Sequence, residues 1–200
     1  LGDNAVYKMI SIINLIRELD RRMRFGLGSH PALGHPSIVV TDVAARTASL
    51  NAVPDQFTIV IDRRVTLSEP HDEVVNQIKG LIPDYLQNEI FVEELFYDTP
   101  SYTGFVFPVA KYFPAWLQEE THPLVQAGLQ AARDLWGEDR PLGTWDFSTN
   151  GTYWAGKAGI PCIGFGPGDE KTAHTLLENV PLDEVVSAAE FYAYLPKALR

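Results

Sequence analysis

The stretch Ile160-Pro-Cys-Ile-Gly-Phe-Gly-Pro-Gly168 constrains the fold more than any other part of this 200-residue chain. Ile160, Cys162, Ile163 and Phe165 make a short apolar run, the pattern of a strand buried on both faces. The run breaks at once into a loop holding Gly164, Gly166, Pro167 and Gly168. Glycines so close together let backbone N–H groups face outward and let a ligand approach with no Cβ in the way. His174 follows within Asp169-Glu-Lys-Thr-Ala-His-Thr-Leu-Leu-Glu178, just past the carboxyl end of that run, where open α/β sheets place their ligands. A glycine turn alone is commonly punctuation and a lone histidine commonly a surface residue, so the context has to carry the motif.

Composition narrows the function classes. Hydrophobic residues make up 46% and charged residues 21%, the balance of a soluble globular chain long enough for one large domain or two small ones. The net charge of −10 argues against a nucleic-acid partner gripped through its phosphates. No apolar run approaches the ~20 residues that span a bilayer, so no membrane partner is expected. Cys162 is the single cysteine, which rules out an intrachain disulfide and points to a reducing, cytoplasmic setting. Its apolar surroundings suit a small core residue better than a nucleophile.

Residues 3–23 predict an amphipathic helix. Met9, Ile12, Ile13, Ile16, Leu19 and Met23 recur at helical spacing, with Lys8, Arg17, Arg21 and Arg22 on a solvated opposite face. The helix begins almost at residue 1, without an initiator Met, as in a piece cut from a longer protein. A Gly/Pro loop then carries His30 and His35, both expected to be exposed. Residues 37–64 predict a hairpin turning at Asn51-Ala-Val-Pro54-Asp55, with Phe57, Ile59 and Ile61 on one face. Ser68 is placed to cap a second helix, with Pro70, Asp72 and Glu73 in its first turn and His71 exposed. A strand over 89–97 follows. Helix, strand, strand, helix, strand is a ferredoxin-like α+β layer without its opening strand, which in that fold lies mid-sheet. Either residues before this chain supply it, or this piece pairs differently.

Pro100 to Pro114, rich in aromatics, reads as the crossing between two domains. Beyond it, Thr121-His-Pro123 starts a helix that Gly137 stops, with His122 structural or exposed at its cap. Residues 143–150 predict a strand running into a loop, 151–159 a brief helix, and 182–195 a closing helix with Leu182, Val185, Val186, Ala189 and Tyr192 on one face. The second half therefore reads α-β-α-β-α, part of a three-layer α/β domain.

The order of glycine-loop strand, Ala173-His174-Thr175, Glu178 and a Pro181-started helix resembles the C-terminal end of M20-family metallohydrolases, the aminoacylases and carboxypeptidase-like amidases. The likeness covers essentially the whole chain. Gly2-Asp-Asn-Ala-Val-Tyr-Lys resembles the start of that family's first lid helix, and Asn51-Ala-Val-Pro54 followed by Arg64 resembles its lid motif. Trp145-Asp-Phe-Ser-Thr149-Asn150-Gly151 is similar to the loop facing the scissile group, and its Ser-Thr-Asn-Gly run is nearest to the selenium-metabolism-linked hydrolases. The resemblance implies a ferredoxin-like lid over 1–108, opening strand missing. It joins this to the C-terminal part of a three-layer α/β zinc-hydrolase domain over 109–200.

It also implies roles: Asn51, Arg64, Thr149, Asn150 and Gly166 contact a small peptide or N-acyl amino acid, and His174 is a ligand to one of two zinc ions. Glu178 either orients that loop or is a solvated or capping carboxylate. On a hairpin turning near Pro54, Arg64 lies about seven residues further from the turn than Asn51, roughly 20–25 Å at ~3.3 Å per residue. One active site of one protomer does not readily use both, and in the family the asparagine reaches the neighbour's site, which implies a homodimer through the lid. In the family a His-x-Asp pair, a Glu-Glu pair and a further acidic ligand stand N-terminal to the lid, and an oxyanion histidine just before its first helix. None stands there in this sequence, so no catalytic residue is assigned and the chain alone is expected to be inactive. A non-catalytic dimerisation or regulatory module of the same fold is the alternative. Nucleotide binding by the glycine loop is weak, since the lysine of a phosphate loop is missing and Pro167 removes a donor.

Overall fold

The computed structural model describes residues 2–173 and 175–199. The chain separates into two compact units, Leu1–Pro114 and Ala115–Arg200.

The first unit is built on helix α1 (Ala5–Arg24). The side chain of Asn4 starts it by accepting hydrogen bonds from the backbone of Val6 and Tyr7 at 3.0 and 3.3 Å, which satisfies donors that lack intrahelical partners. Ile12, Ile16, Leu19 and Met23 recur at steps of four and three, so they share one face, and all four are buried. They pack with Ile38, Ile82 and Leu86 into the core. Strand β1 (Ser37–Arg46) pairs antiparallel with β2 (Gln56–Arg64), Ser37 opposite Arg64 and Arg46 opposite Gln56. Alternation turns Ile38, Val40, Ile59 and Ile61 onto α1, while a bulge between Val40 and Asp42 bends β1 beyond them.

Helix α2 (His71–Lys79) follows Pro70 with no side-chain cap. Ser68, the expected cap, donates its hydroxyl to the carbonyl of Ser29 at 3.3 Å instead. That loop is tied down by a buried ion pair, Arg63 with Glu69, whose side chains are 7% and 8% exposed. Thr66 links the pair to the preceding loop, donating its backbone N–H to Glu69 at 3.3 Å and its hydroxyl to the carbonyl of Gly28 at 2.6 Å. Gly28 sits at φ +71°, where an added Cβ would lie 2.5 Å from the Glu69 carboxylate, so conformation and space both demand glycine.

Two further expectations for this unit are corrected. His71 is half-buried, its ring 3.9 Å from that of Tyr112 and its Nε2 3.4 Å from Glu94. Burial, then the Glu94 and Asp72 carboxylates, push the Tyr112 phenol above its ordinary value. The strand expected over 89–97 joins no ladder with β1 and β2. Only β3 (Phe96–Tyr97) pairs, with β4 (Val109–Ala110), in a separate two-stranded piece. Ile90 and Val92 still pack on the α1 core while Phe91 is exposed, the alternation of a strand without its hydrogen bonds. In a ferredoxin-like sheet the strand that would pair with this segment is the central opening one, which these residues do not contain.

The second unit packs α3 (Pro123–Trp136) on α5 (Leu182–Ala198), with the single turn α4 (Gly151–Trp154) between them in sequence. His122 caps α3, its Nδ1 accepting from the backbone of Leu124 at 3.1 Å, and Gly137 ends the helix at φ +71°. Gly128 of α3 lets Ile163 approach: an added Cβ would meet Ile163 Cδ1 at 2.9 Å. The α5 face that turns inward carries Ala188 and Phe191; Leu182, Val185, Val186, Ala189 and Tyr192, the apolar face read from the sequence, are exposed. The helix is apolar on more than one side, so periodicity alone left its orientation ambiguous.

The strands expected at 143–150 and 160–165 do not form ladders, and Ile160 is 47% exposed. A strand buried on both faces belongs to a parallel sheet with neighbours on each side, and among the described residues this unit holds no sheet to supply them. Cys162 is accordingly half-buried rather than a core residue, its thiol donating to the carbonyl of Ile160 at 3.3 Å.

Two outcomes follow from this packing. Ile16→Ala should cost about 2–5 kcal/mol in the first unit, read as a lower midpoint in urea unfolding. Gly164→Ala should be destabilising by about 1–3 kcal/mol in the second, because its Cβ would lie 2.3 Å from the Trp145 ring; thermal melts and tryptophan emission check it.

Candidate functional site

The expected site residues fall into two groups, one per unit. In the first unit Asn51 lies in the turn between β1 and β2, and Arg64 closes β2 at the opposite end of the hairpin, across from Ser37. Eight steps of strand separate Gln56 at the turn from Arg64, roughly 26 Å at ~3.3 Å per residue, so the hairpin holds Asn51 and Arg64 apart. Arg64 leads directly into the buried network: the guanidinium of Arg63 donates to the Arg64 carbonyl as well as to Glu69. The backbone that carries Arg64 is thereby fastened at one point by a buried cation.

In the second unit the glycine loop, Thr149 and Asn150 share a framework of aromatic rings. Trp145 covers Gly164 and stacks on Phe147 at 5.6 Å between centroids. Thr149 Oγ1 accepts from the backbone of Gly151 at 3.1 Å, and Asn150 stands at the start of α4 with no capping bond from its side chain. Gly151 lies against Trp116, where a Cβ would come within 2.5 Å of the indole. The residues from 145 to 151 are thus pinned by two close tryptophan–glycine approaches.

Gly166 sits in open space: a Cβ there would meet nothing within 4 Å. Its neighbours are engaged. Phe165 exchanges two hydrogen bonds with the hydroxyl of Tyr192, and the N–H of Gly168 donates to Glu184 at 2.8 Å. The Phe165 ring stacks on Phe191 at 4.3 Å and on Trp136 at 5.5 Å. Tyr192 and Glu184 were not legible as partners of this loop, since they lie 27 and 16 residues away in sequence and the packing of α5 alone brings them in.

His174, the expected zinc ligand, lies outside the described residues. Among the described residues no three His, Cys, Asp or Glu side chains group as a metal site. Those residues therefore do not make a zinc cage on their own. Glu178 is exposed, in the turn whose N–H bonds run back to Thr175. No helix among the described residues is long and apolar enough to cross a membrane.

Comparison with known proteins agrees with this architecture. The M20 peptidase dimerisation domain family matches residues 1–89. YgeY of Escherichia coli (strain K12) is 38% identical over 195 residues, which is 98% of this chain and 47% of that protein. An N-formyl-4-amino-5-aminomethyl-2-methylpyrimidine deformylase of Bacillus subtilis (strain 168) is 26% identical over 191 residues, 92% of this chain and 43% of its own length. The chain thus spans somewhat under half the length of these relatives. Among solved structures, an M20 family metallo-carboxypeptidase from Sulfolobus solfataricus shares the fold with a TM-score of 0.50 and 18% identity, covering 93% of this chain and 44% of that one. Residues 1–89 are an M20 peptidase dimerisation domain.

Proposed function

We propose that this chain is the dimerising and substrate-gripping part of a zinc-dependent hydrolase that cleaves an amide bond in a small peptide or N-acyl amino acid. The observation that carries this reading is the hairpin: it places Asn51 and Arg64 at opposite ends of one rigid two-stranded piece within an M20 dimerisation domain. One protomer does not bring both to a single ligand, whereas a homodimer does, with Arg64 serving its own site and Asn51 that of the neighbour. Arg64 suits a carboxylate through its planar, always-charged fork, and Asn51 suits an amide or carboxylate oxygen as a neutral donor. Thr149, Asn150 and Gly166 contribute hydroxyl, amide and backbone donors from the second unit.

In this reading residues 1–108 are the ferredoxin-like lid and residues 109–200 the C-terminal part of a three-layer catalytic domain. His174 is this chain's donor to one of two zinc ions. Zinc, when bound in the complete protein, supplies Lewis-acid polarisation of the scissile carbonyl and a bound hydroxide near neutral pH. The other ligands and the general base come from outside these residues. The single cysteine and acidic charge fit a cytoplasmic protein with no nucleic-acid or membrane partner.

A second reading is a regulatory dimerisation module without catalysis. It is favoured by the lack, among the described residues, of any three-ligand cluster. The two readings part in the complete protein: His174→Ala abolishes zinc-dependent amide hydrolysis if the first holds and leaves zinc content untouched if the second does.

The 200-residue chain should sediment at twice its 22.3 kDa mass at tens of micromolar; a monomer there would remove the case for sharing Asn51 between protomers. With zinc added, the same chain should hydrolyse N-acetyl amino acids no faster than buffer. Turnover by the purified chain would show that the missing carboxylates are not needed.

A further inference from the structure

We propose that Tyr192 and Glu184 of α5 are positioning residues for the glycine loop, fixing its two ends so that the Gly166 N–H is its donor for a carboxylate ligand. The inference rests on the reading above in which Gly166 contacts substrate.

The Tyr192 hydroxyl donates to the carbonyl of Phe165 at 2.5 Å and accepts from the N–H of the same residue at 3.2 Å. One side chain that takes both backbone groups of one residue does what the next strand of a sheet would do there. It ends the extended run at Phe165 and sets where the loop begins. The Phe191 ring, adjacent on α5, stacks on the Phe165 ring at 4.3 Å, so the loop's first residue is held by backbone and side chain together. At the other end Glu184, in the first turn of α5, accepts the Gly168 N–H at 2.8 Å, and Gly168 itself adopts φ +91°.

Between these anchors the accounting of donors is short. Pro167 has no N–H. Phe165 and Gly168 give theirs to α5. Gly166 has no hydrogen-bond partner among the described residues, and the space around its Cα is open. An N–H presented this way makes a charge-assisted bond to a carboxylate without first breaking an internal one.

The test uses the 200-residue chain labelled with nitrogen-15, titrated with N-acetylglycine while the Gly166 amide resonance is followed. Tyr192→Phe removes only the hydroxyl of an exposed residue and keeps the ring edge on Phe191, at 5.5 Å between centroids. Tyr194→Phe is the control. It removes another α5 hydroxyl, one bonded to Asp134 at 3.0 Å and away from the loop. The expected result is a shift of the Gly166 amide with the wild-type chain, an affinity weakened roughly 3–10-fold by Tyr192→Phe, the size of one net hydrogen bond, and no change with Tyr194→Phe. Faster hydrogen exchange at Phe165 in Tyr192→Phe, and at Gly168 in Glu184→Ala, should accompany it.

An unmoved Gly166 amide in the wild-type chain would overturn the substrate role of Gly166 and this inference with it. Equal affinities for wild type and Tyr192→Phe would overturn the positioning role alone. Equal losses from Tyr192→Phe and Tyr194→Phe would reduce Tyr192 to general stability. Should Tyr192→Phe unfold the second unit, Glu184→Ala decides: unchanged Gly168 exchange would sink the proposal, and faster exchange with a weaker Gly166 response would support it.

Discussion

The first unit depends on the burial of one apolar stripe of α1 against the inner face of the β1–β2 hairpin. Ile12, Ile16, Leu19 and Met23 lie within 5% exposure or less, and they meet Ile38 on the sheet and Ile82 and Leu86 beyond α2. Each such side chain contributes roughly 1.5–3 kcal/mol on leaving water. A two-stranded hairpin is marginal alone, so this helix is what makes the hairpin a rigid beam. The hairpin carries Asn51 at its turn and Arg64 at its other end.

The second constraint is the backbone's demand for partners. Residues 89–95 and 160–165 have the side-chain patterns of strands, and neither finds a ladder among the described residues. In each case local structure follows what remains available. Ile90 and Val92 keep their hydrophobic contacts with the core, because burial is non-directional and needs no neighbouring strand. Phe165 takes a phenol in place of a strand. Hydrogen bonding is directional, so it yields first when a sheet lacks members.

The glycines divide by the reason each is needed. Gly28 combines a left-handed φ with the Glu69 carboxylate packed where a Cβ would go. Removing one member of the buried Arg63–Glu69 pair strands the other charge in the interior. Gly164 and Gly151 admit tryptophan rings. Gly166 has free space around it, as Gly34, Gly104, Gly137, Gly143 and Gly159 also do, and it falls where the sequence motif leads one to expect ligand contact.

Much of the first unit was legible because its signals are local. The 3-4 spacing of α1, the alternation of Phe57, Ile59 and Ile61 and the turn chemistry at 51–55 each act over a few residues, and helix and hairpin form where they indicate. The likeness to the M20 dimerisation domain was legible for the same reason, from short runs such as Asn51-Ala-Val-Pro54. What tertiary structure alone decided involves distant residues: the pairing of Arg63 with Glu69 around Gly28, the packing of His71 on Tyr112, which face of α5 turns inward, and the capture of Phe165 by Tyr192. Periodicity reports that a face is apolar and not which surface it meets. The choice of partner is made only when helices, loops and rings compete for the same space.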